Sequence, residues 1–233
     1  SDGGFIEDLS LTLYEGEVLG IGGLVGSKRT ELARMIVGVD PLVKGTIRIN
    51  GEERKIKNAS QAIEYGIGYL SENRKEDGLS LGMSVKENTV HCDFSSISKN
   101  GFINWKKVRQ VSDDYIKKLK TKGTSDFLVG NLSGGNQQKV AISKWLHAEC
   151  NILIFDEPTR GIDVNAKAEI HQIIRDFARM EGHAAIVISS DVQELVSVSD
   201  RIIIMSKGHI TGEIQANEIE QNAVLKHITT MGR

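Results

Sequence analysis

Leu132-Ser133-Gly134-Gly135-Asn136-Gln137-Gln138, read together with Asn151-Ile152-Leu153-Ile154-Phe155-Asp156-Glu157 just downstream, is the stretch whose reading decides the fold. A serine and two glycines stand directly before a helical run expected over 137–148. A hydroxyl and unencumbered backbone N–H groups therefore collect at a helix N-terminus, where partial positive charge favours an anion. The apolar run 151–155 is continuous over a strand's length, the mark of a strand buried on both faces of a parallel sheet. It ends in two carboxylates, Asp156 and Glu157, at the carboxyl edge where open α/β sheets bind ligands, and Pro158 stops any further ladder. Ser-Gly-Gly alone is common in loops and would pass for a flexible helix entry; agreement with the neighbouring segments gives it weight.

Upstream, residues 5–21 alternate apolar and polar through Ile6, Leu9, Leu11 and Leu13, turn at Glu15-Gly16, and continue as Val18-Leu19-Gly20-Ile21. The pattern predicts two strands. The segment Gly22-Gly23-Leu24-Val25-Gly26-Ser27-Lys28-Arg29-Thr30 follows, ahead of a helical pattern with Leu32, Met35, Ile36 and Val39 on one face. A phosphate loop belongs between such a strand and helix. Of its pattern (glycine, four residues, glycine, lysine, serine or threonine), Gly23 and Thr30 are present, while Lys28 replaces the second glycine and Arg29 the lysine.

Residues 45–51 read as an antiparallel strand and turn, 60–65 as a short helix, 67–70 as a strand and 71–77 as a charged loop. Between 84 and 128 strand signals are lost, and the spacing of Val108, Val111, Tyr115, Ile116 and Leu119 predicts a helical lobe inserted in the core. Downstream, a helix is expected over 164–180, strands over 185–188 and 202–205, a turn at Lys207-Gly208 and a surface helix over 217–231. Alternation of this kind defines the α/β class.

Length and charge narrow the functions. A chain of 233 residues can bury a core without disulfides and suits one domain. A net charge of -2 gives no electrostatic case for nucleic acid. Cys92 and Cys150 lack metal-ligand or redox-motif spacing and read as reduced thiols of a cytosolic protein. No apolar run approaches the roughly 20 residues that span a bilayer. His91, His147, His171, His183, His209 and His227 show no ligand spacing and are expected at the surface or as caps. The charged runs 72–77 and 117–122 are expected to be solvated faces.

A nucleoside triphosphate with magnesium needs backbone N–H groups around its phosphates, a cation near the β/γ oxygens, a hydroxyl and carboxylate for the metal, and a group that orients water. Each has a candidate here, in order along the chain, which in this respect resembles the ATP-binding domains of ABC transporters over nearly its whole length. The resemblance implies one domain over 1–233, an α/β P-loop NTPase (RecA-like) core with an antiparallel β subdomain and an α-helical subdomain inserted at about 73–131. More narrowly, Leu132 to Val140 followed by Asp156-Glu157-Pro158-Thr159-Arg160-Gly161-Ile162-Asp163-Val164 resembles the second, C-terminal ATPase half of tandem subunits that energise ribose, galactose and xylose importers. Two halves share one polypeptide there, and Ser1 in place of an initiator methionine is expected of an internal cut.

ATP and Mg2+ are the implied cofactors. The resemblance puts Gly23, Leu24, Val25, Gly26, Ser27, Lys28, Arg29, Thr30 and Glu31 around the phosphates, and Thr30, Asp156 and Glu72 toward the metal. It gives Glu157 the task of polarising the attacking water, with Glu72 and Ser190 as further catalytic positions. Ser133, Gly134 and Gly135 would meet the γ-phosphate held by the other half, and Asp163 would belong to a loop crossing between halves. The implied partners are the N-terminal half, a membrane permease on which the helical lobe docks, and indirectly a periplasmic or extracellular sugar-binding protein. The implied location is the cytoplasmic face of a bacterial membrane.

Departures from the family's pattern are equally informative. Glu72 stands where a glutamine is usual, and Ser190 where a histidine reaches the γ-phosphate; a serine is shorter and carries no charge. Arg29 keeps the charge but is larger than an ammonium. Lys28 adds a side chain where glycine allows close backbone approach, at a strain of about 1–3 kcal/mol if that position needs an unusual backbone angle. No aromatic is placed to stack adenine, Phe5 being too close to the first strand. The expectation is a degenerate site of its own beside a signature donated to the partner. Two alternatives stay open at this point: a competent ATPase in which Lys28 or Arg29 supplies the cation, and a soluble ABC module of translation or repair, which the charge balance disfavours.

Overall fold

The apolar runs become the interior of one sheet. The computed structural model describes residues 8–215 together with Ile6, Glu218 and Val224. In chain order its elements are β1 (Val18–Gly23), α1 (Arg29–Ile36), β2 (Ile47–Ile49), β3 (Glu52–Arg54), α2 (Ala59–Glu64) and β4 (Ile67–Leu70). The lobe carries α3 (Val85–Val90), β5 (Ser98–Lys99), β6 (Phe102–Ile103) and α4 (Trp105–Lys118). Then follow α5 (Gly134–His147), β7 (Ile152–Asp156), α6 (Val164–Ala178), β8 (Ala184–Ile188), α7 (Val192–Val198), β9 (Arg201–Ser206) and β10 (His209–Gln215).

The main sheet has the order β10-β9-β1-β8-β7-β4. Every neighbouring pair is parallel except β10 with β9. Because a strand's side chains alternate between faces, each buried strand supplies two cores. Leu153, Phe155, Ala185, Val187, Ile202 and Ile204 face Ile142, Trp145, Ile170, Ile174, Phe177 and Leu195 of α5, α6 and α7. Leu19, Ile21, Ile154, Ile186, Ile188 and Ile203 turn the other way, toward Leu32 and Ala33 of α1 and Ala62 of α2. This is the doubly covered arrangement that continuous apolar strands require. The parallel ladders bring the carboxyl ends of β1, β4, β7 and β8 to a single edge.

Several expectations need correction. The alternation of Ile6, Leu9, Leu11 and Leu13 does pack those half-buried side chains against the second core, but the described part of that segment forms no strand. Part of its backbone is bound instead by side chains, Arg201 Nη2 donating to the Thr12 carbonyl at 2.6 Å. The antiparallel expectation is met by the β2–β3 hairpin and by β10 on β9. Strand β10 was not expected, because a register shift between Ile210 and Gly212 breaks its alternation. The lobe holds the small β5–β6 hairpin where no strand was expected. Its helix α4 buries Val108, Ser112 and, at its C-cap, Leu119. Val39 is exposed beyond α1, and Val37 takes its place in the core. Apart from Glu218 and Val224, the helix expected over 217–231 lies outside the described residues, as do Phe5 and His227. No helix among the described residues is long and apolar enough to cross a membrane.

Candidate nucleotide site

The loop between β1 and α1 is built on close approach and left-handed backbone. A Cβ on Gly23 would stand 2.3 Å from the Met205 carbonyl oxygen and 2.8 Å from Ser27 Oγ, so no larger residue fits there. Gly26 takes φ 83°, which favours glycine. Lys28 is the N-cap of α1 at φ 75° and ψ 22°, also left-handed, and makes no side-chain cap bond. Its Nζ lies 3.1 Å from Glu31 Oε1. Leu24 and Val25 are exposed. Ser27 is buried with its Oγ unpartnered, and Gly208 N donates to its carbonyl at 3.1 Å.

Arg29 opens α1 but folds inward, where it is buried, and its Nη1 donates to the Ser189 carbonyl just past β8. Burial lowers its pKa, while Glu157 and, less strongly, Asp156 oppose that shift. Thr30 follows, half-buried near Asp156.

Asp156 ends β7 and is almost fully buried. Tyr69 of β4 donates its hydroxyl to Oδ2 at 2.9 Å, and Oδ1 has no partner. Burial raises the carboxyl's pKa; Thr30 and Tyr69 hold it back. The same burial, with the neighbouring carboxylate, raises the Tyr69 phenol, which stays a donor. Glu157 adopts φ 48°, an unusual angle for a residue with a Cβ. Its N–H donates to the Ile188 carbonyl at 2.8 Å, and its Oε1 accepts from Ser190 N at 2.7 Å. Ser190, itself exposed, thus meets Glu157 through its backbone.

The structure brings Lys28, Arg29, Thr30, Asp156, Glu157 and Ser190 to one sheet edge. Glu72 is engaged by another side chain: its carboxylate pairs with Arg160, whose carbonyl accepts from Arg74 Nη1 at 2.9 Å. Among the described residues, no hydrogen bond or ion pair joins Ser133, Gly134 or Gly135 to Lys28, Arg29, Thr30 or Asp156. Helix α5 begins at Gly134, three residues before the expected start, so both glycines lie in its first turn and exposed Ser133 is its N-cap. Ser133 Oγ accepts from Asn136 Nδ2 at 2.8 Å. Both glycines also have reasons within the chain. A Cβ on Gly134 would meet Arg74 Nη2 at 2.8 Å, and one on Gly135 would meet Ala166 Cβ at 2.6 Å. Asp163 caps α6 by accepting from Ala166 N at 3.0 Å, a local role for the residue expected at an interface.

Sequence reasoning missed Tyr69, Thr159 and Glu194. It also placed His147 and His171 at the surface or as caps, whereas both are largely buried. His147 is the last residue of α5, with Nε2 3.0 Å from the Asp93 carbonyl. His171 meets Glu194 inside the fold. No group of three or more His, Cys, Asp or Glu among the described residues could hold a metal by itself, as suits an ion held jointly with phosphate oxygens. The unpartnered Ser27 Oγ and Asp156 Oδ1, beside Thr30, fit such an ion and its phosphates.

Fold and site together define a phosphate-loop nucleotide-binding domain of the α/β class, with paired carboxylates at the carboxyl edge of its sheet. Residues 6–160 match the ABC transporter family, and the chain belongs to it. Its fold is that of the solved ATP-binding cassettes. A nucleotide-free cassette of an ABC transporter superposes with TM-score 0.78 at 19% identity, covering 99% of this chain and 91% of that one. A dimeric cassette in a post-hydrolysis state bound to ADP and phosphate gives TM-score 0.73 at 21% identity, covering 88% of each chain. Among sequences, a putative ribose/galactose/methyl galactoside import ATP-binding protein of Rhizobium meliloti is 43% identical over 226 residues, covering 97% of this chain and 45% of the relative. A ribose import ATP-binding protein of Clostridium tetani is 46% identical over 227 residues, covering 95% and 44%. This chain therefore spans about half the length of the relatives it matches.

Proposed function

We propose that residues 1–233 form one ATPase half, the C-terminal one, of a tandem ATP-binding subunit that powers import of a simple sugar. Its own phosphate loop is attenuated, and its Leu132–Gln138 signature serves ATP held by the other half. Similarity to sugar-import ATP-binding proteins about twice as long supports the tandem reading.

The observation that carries the attenuated site is Arg29. Its buried guanidinium spends a donor on the Ser189 carbonyl, beside Asp156 and Glu157. A lysine there would offer a compact, rotatable point charge to the β/γ oxygens; the planar fork must first leave its carbonyl. Lys28, left-handed at φ 75°, adds bulk where the backbone should approach phosphate. Ser190 offers no charge to the γ-phosphate.

Glu157, gripped through Oε1 by Ser190 N, is the group that polarises the attacking water, and its remaining carboxylate oxygen is the acceptor for that water's proton. Thr30 and Asp156, with Glu72 once released from Arg160, would hold Mg2+. When bound, the metal supplies positive charge that offsets charge building on the transferring phosphoryl oxygens. Closure of the two halves around ATP would pull a membrane permease between states, because ligand contacts made only in the closed form bias a two-state element. For the permease, the helical subdomain at about 73–131 offers an apolar groove of about 200 Å³ between α3 and α4, lined by Met83, Phe94, Ile103 and Trp105. An indirect partner on the far side of the membrane is a sugar-binding protein. The placement is peripheral, on the cytoplasmic face of a bacterial membrane.

The test is ATP binding with and without Mg2+ to this chain and to its Lys28→Gly/Arg29→Lys form, which rebuilds the usual loop. Much tighter binding by the rebuilt form is expected. Unchanged affinity, together with turnover by the original chain equal to that of the intact tandem protein, would show a competent site and refute attenuation.

A further inference from the structure

Glu194, on α7, is a buried carboxylate that gathers donors from three separate segments; its side chain is 2% exposed. Thr159 Oγ1 donates to Oε1 at 2.7 Å. Ser189 Oγ donates to Oε2 at 2.6 Å. His171 Nε2, from α6, lies 3.0 Å from Oε1, and the other ring nitrogen of His171 meets Ser197 Oγ at 3.1 Å. An ionised carboxylate only accepts hydrogen bonds and has room for about four, so it suits three converging donors. An amide, with one accepting oxygen and a donating NH2, does not.

The donors bracket Glu157. Thr159 stands two residues after it on the turn leaving β7, while Ser189 immediately precedes Ser190, whose N–H holds the Glu157 carboxylate at 2.7 Å. The Glu157 N–H in turn bonds the Ile188 carbonyl at 2.8 Å. The turn that carries Glu157 and the turn that holds its carboxylate are thus tied to one buried side chain. A hydroxyl on each turn would be left unsatisfied if either turn moved away, and leaving buried groups unpaired is costly.

We propose that Glu194 is a positioning residue for Glu157, locking the turn after β7 to the turn after β8 so that the Glu157 carboxylate is held where water must be polarised. The inference rests on the proposed role of Glu157. It makes Thr159 and Ser189 the arms of the lock and His171 its brace from α6. Displacing a reacting group by about 1 Å can cost 10²-fold in rate, whereas the phosphate loop is carried mainly by β1 and α1 and touches the Ser189 turn through Arg29.

The test uses the whole protein carrying Glu194→Gln, Thr159→Val, both together, or Glu157→Gln as reference, with single-turnover hydrolysis of the ATP held at this half's own phosphate loop, Mg-ATP affinity there and melting temperature measured on each. Thr159→Val removes the hydroxyl at nearly constant shape and keeps the question answerable if Glu194→Gln fails to fold. Glu194→Gln and Thr159→Val are expected to slow hydrolysis by about 10- to 100-fold with Mg-ATP affinity unchanged, and Thr159→Val should add nothing once Glu194 is replaced. If Glu157→Gln abolishes turnover while the other two leave it intact, or lower only the melting temperature, the positioning role is overturned and that of Glu157 survives. If Glu157→Gln leaves turnover intact, both fall.

Discussion

Replacing Lys28 with glycine should leave the fold as stable as before or slightly more so, against the usual rule that glycine in an ordered segment weakens it. Lys28 sits at φ 75° and ψ 22°, where a residue with a Cβ bears a strain of about 1–2 kcal/mol that glycine escapes. Glycine gives back about 0.4–1 kcal/mol through its greater freedom in the unfolded chain. The substitution also removes the Lys28–Glu31 pair, whose side chains are 24% and 46% exposed; a solvated i,i+3 pair of that kind contributes about 0.2–0.5 kcal/mol. The strain is the largest of the three, so the net change is a gain of about 0.5 kcal/mol. For a chain of this size that raises Tm by about 1–2 °C. Thermal unfolding without nucleotide measures it, and a fall of more than about 4 °C would refute the claim that the backbone at Lys28 is strained. Calorimetric titration with ATP tests the functional half of the argument. Removing the side chain should tighten binding, and equal or weaker binding means that Lys28 does not obstruct the phosphates.

The remaining expectations concern the sheet edge and the far side of the core. Gly23→Ala forces a Cβ to within 2.3 Å of the Met205 carbonyl; it should cost about 1–3 kcal/mol, read as a lower urea midpoint, and weaken ATP binding as the loop shifts. Asp156→Asn should raise Tm at neutral pH in Mg-free, nucleotide-free buffer. Burial raises the Asp156 pKa, so the folded state binds that proton more tightly than the unfolded one. The penalty for ionising it is absent below the unfolded pKa, grows between the unfolded and folded values, and is constant above them. The advantage of the variant should therefore shrink as the pH is lowered toward about 4, while stabilisation by Mg-ATP is lost. Arg201→Ala should cost about 3–5 kcal/mol by denaturant unfolding, because Glu17, bonded to Arg201 Nε at 2.7 Å and with a side chain only 10% exposed, is left without its cation.

What could be read from the sequence, and what could not, divides by the range of the interaction concerned. Strands β7 and β8 were legible because burial on both faces leaves a continuous apolar run, and the placing of Asp156 and Glu157 at the carboxyl edge of the sheet followed from their position at the end of one. The start of α5 was misjudged because Gly134 and Gly135 look like helix breakers. Their place in the first turn is set by contacts with Arg74 and Ala166, residues 60 and 31 positions away by their numbering, and packing outweighs the roughly 1 kcal/mol propensity penalty of glycine. The charge of Arg29 was legible but the destination of its guanidinium was not. That destination depends on β8 lying beside β1 with Ile21 opposite Ile188, which brings the Ser189 carbonyl under the head of α1. The neighbouring β7–β8 pairing, with Asp156 opposite Ile188, places Ser190 against Glu157, and so joins the phosphate loop and the carboxylate pair at one edge. Strand order is a long-range property that no local pattern around Gly23 or Asp156 encodes. Residue types could therefore name the parts of this site, and only the topology could show that Arg29 and Glu157 both lean on the two-residue segment Ser189-Ser190.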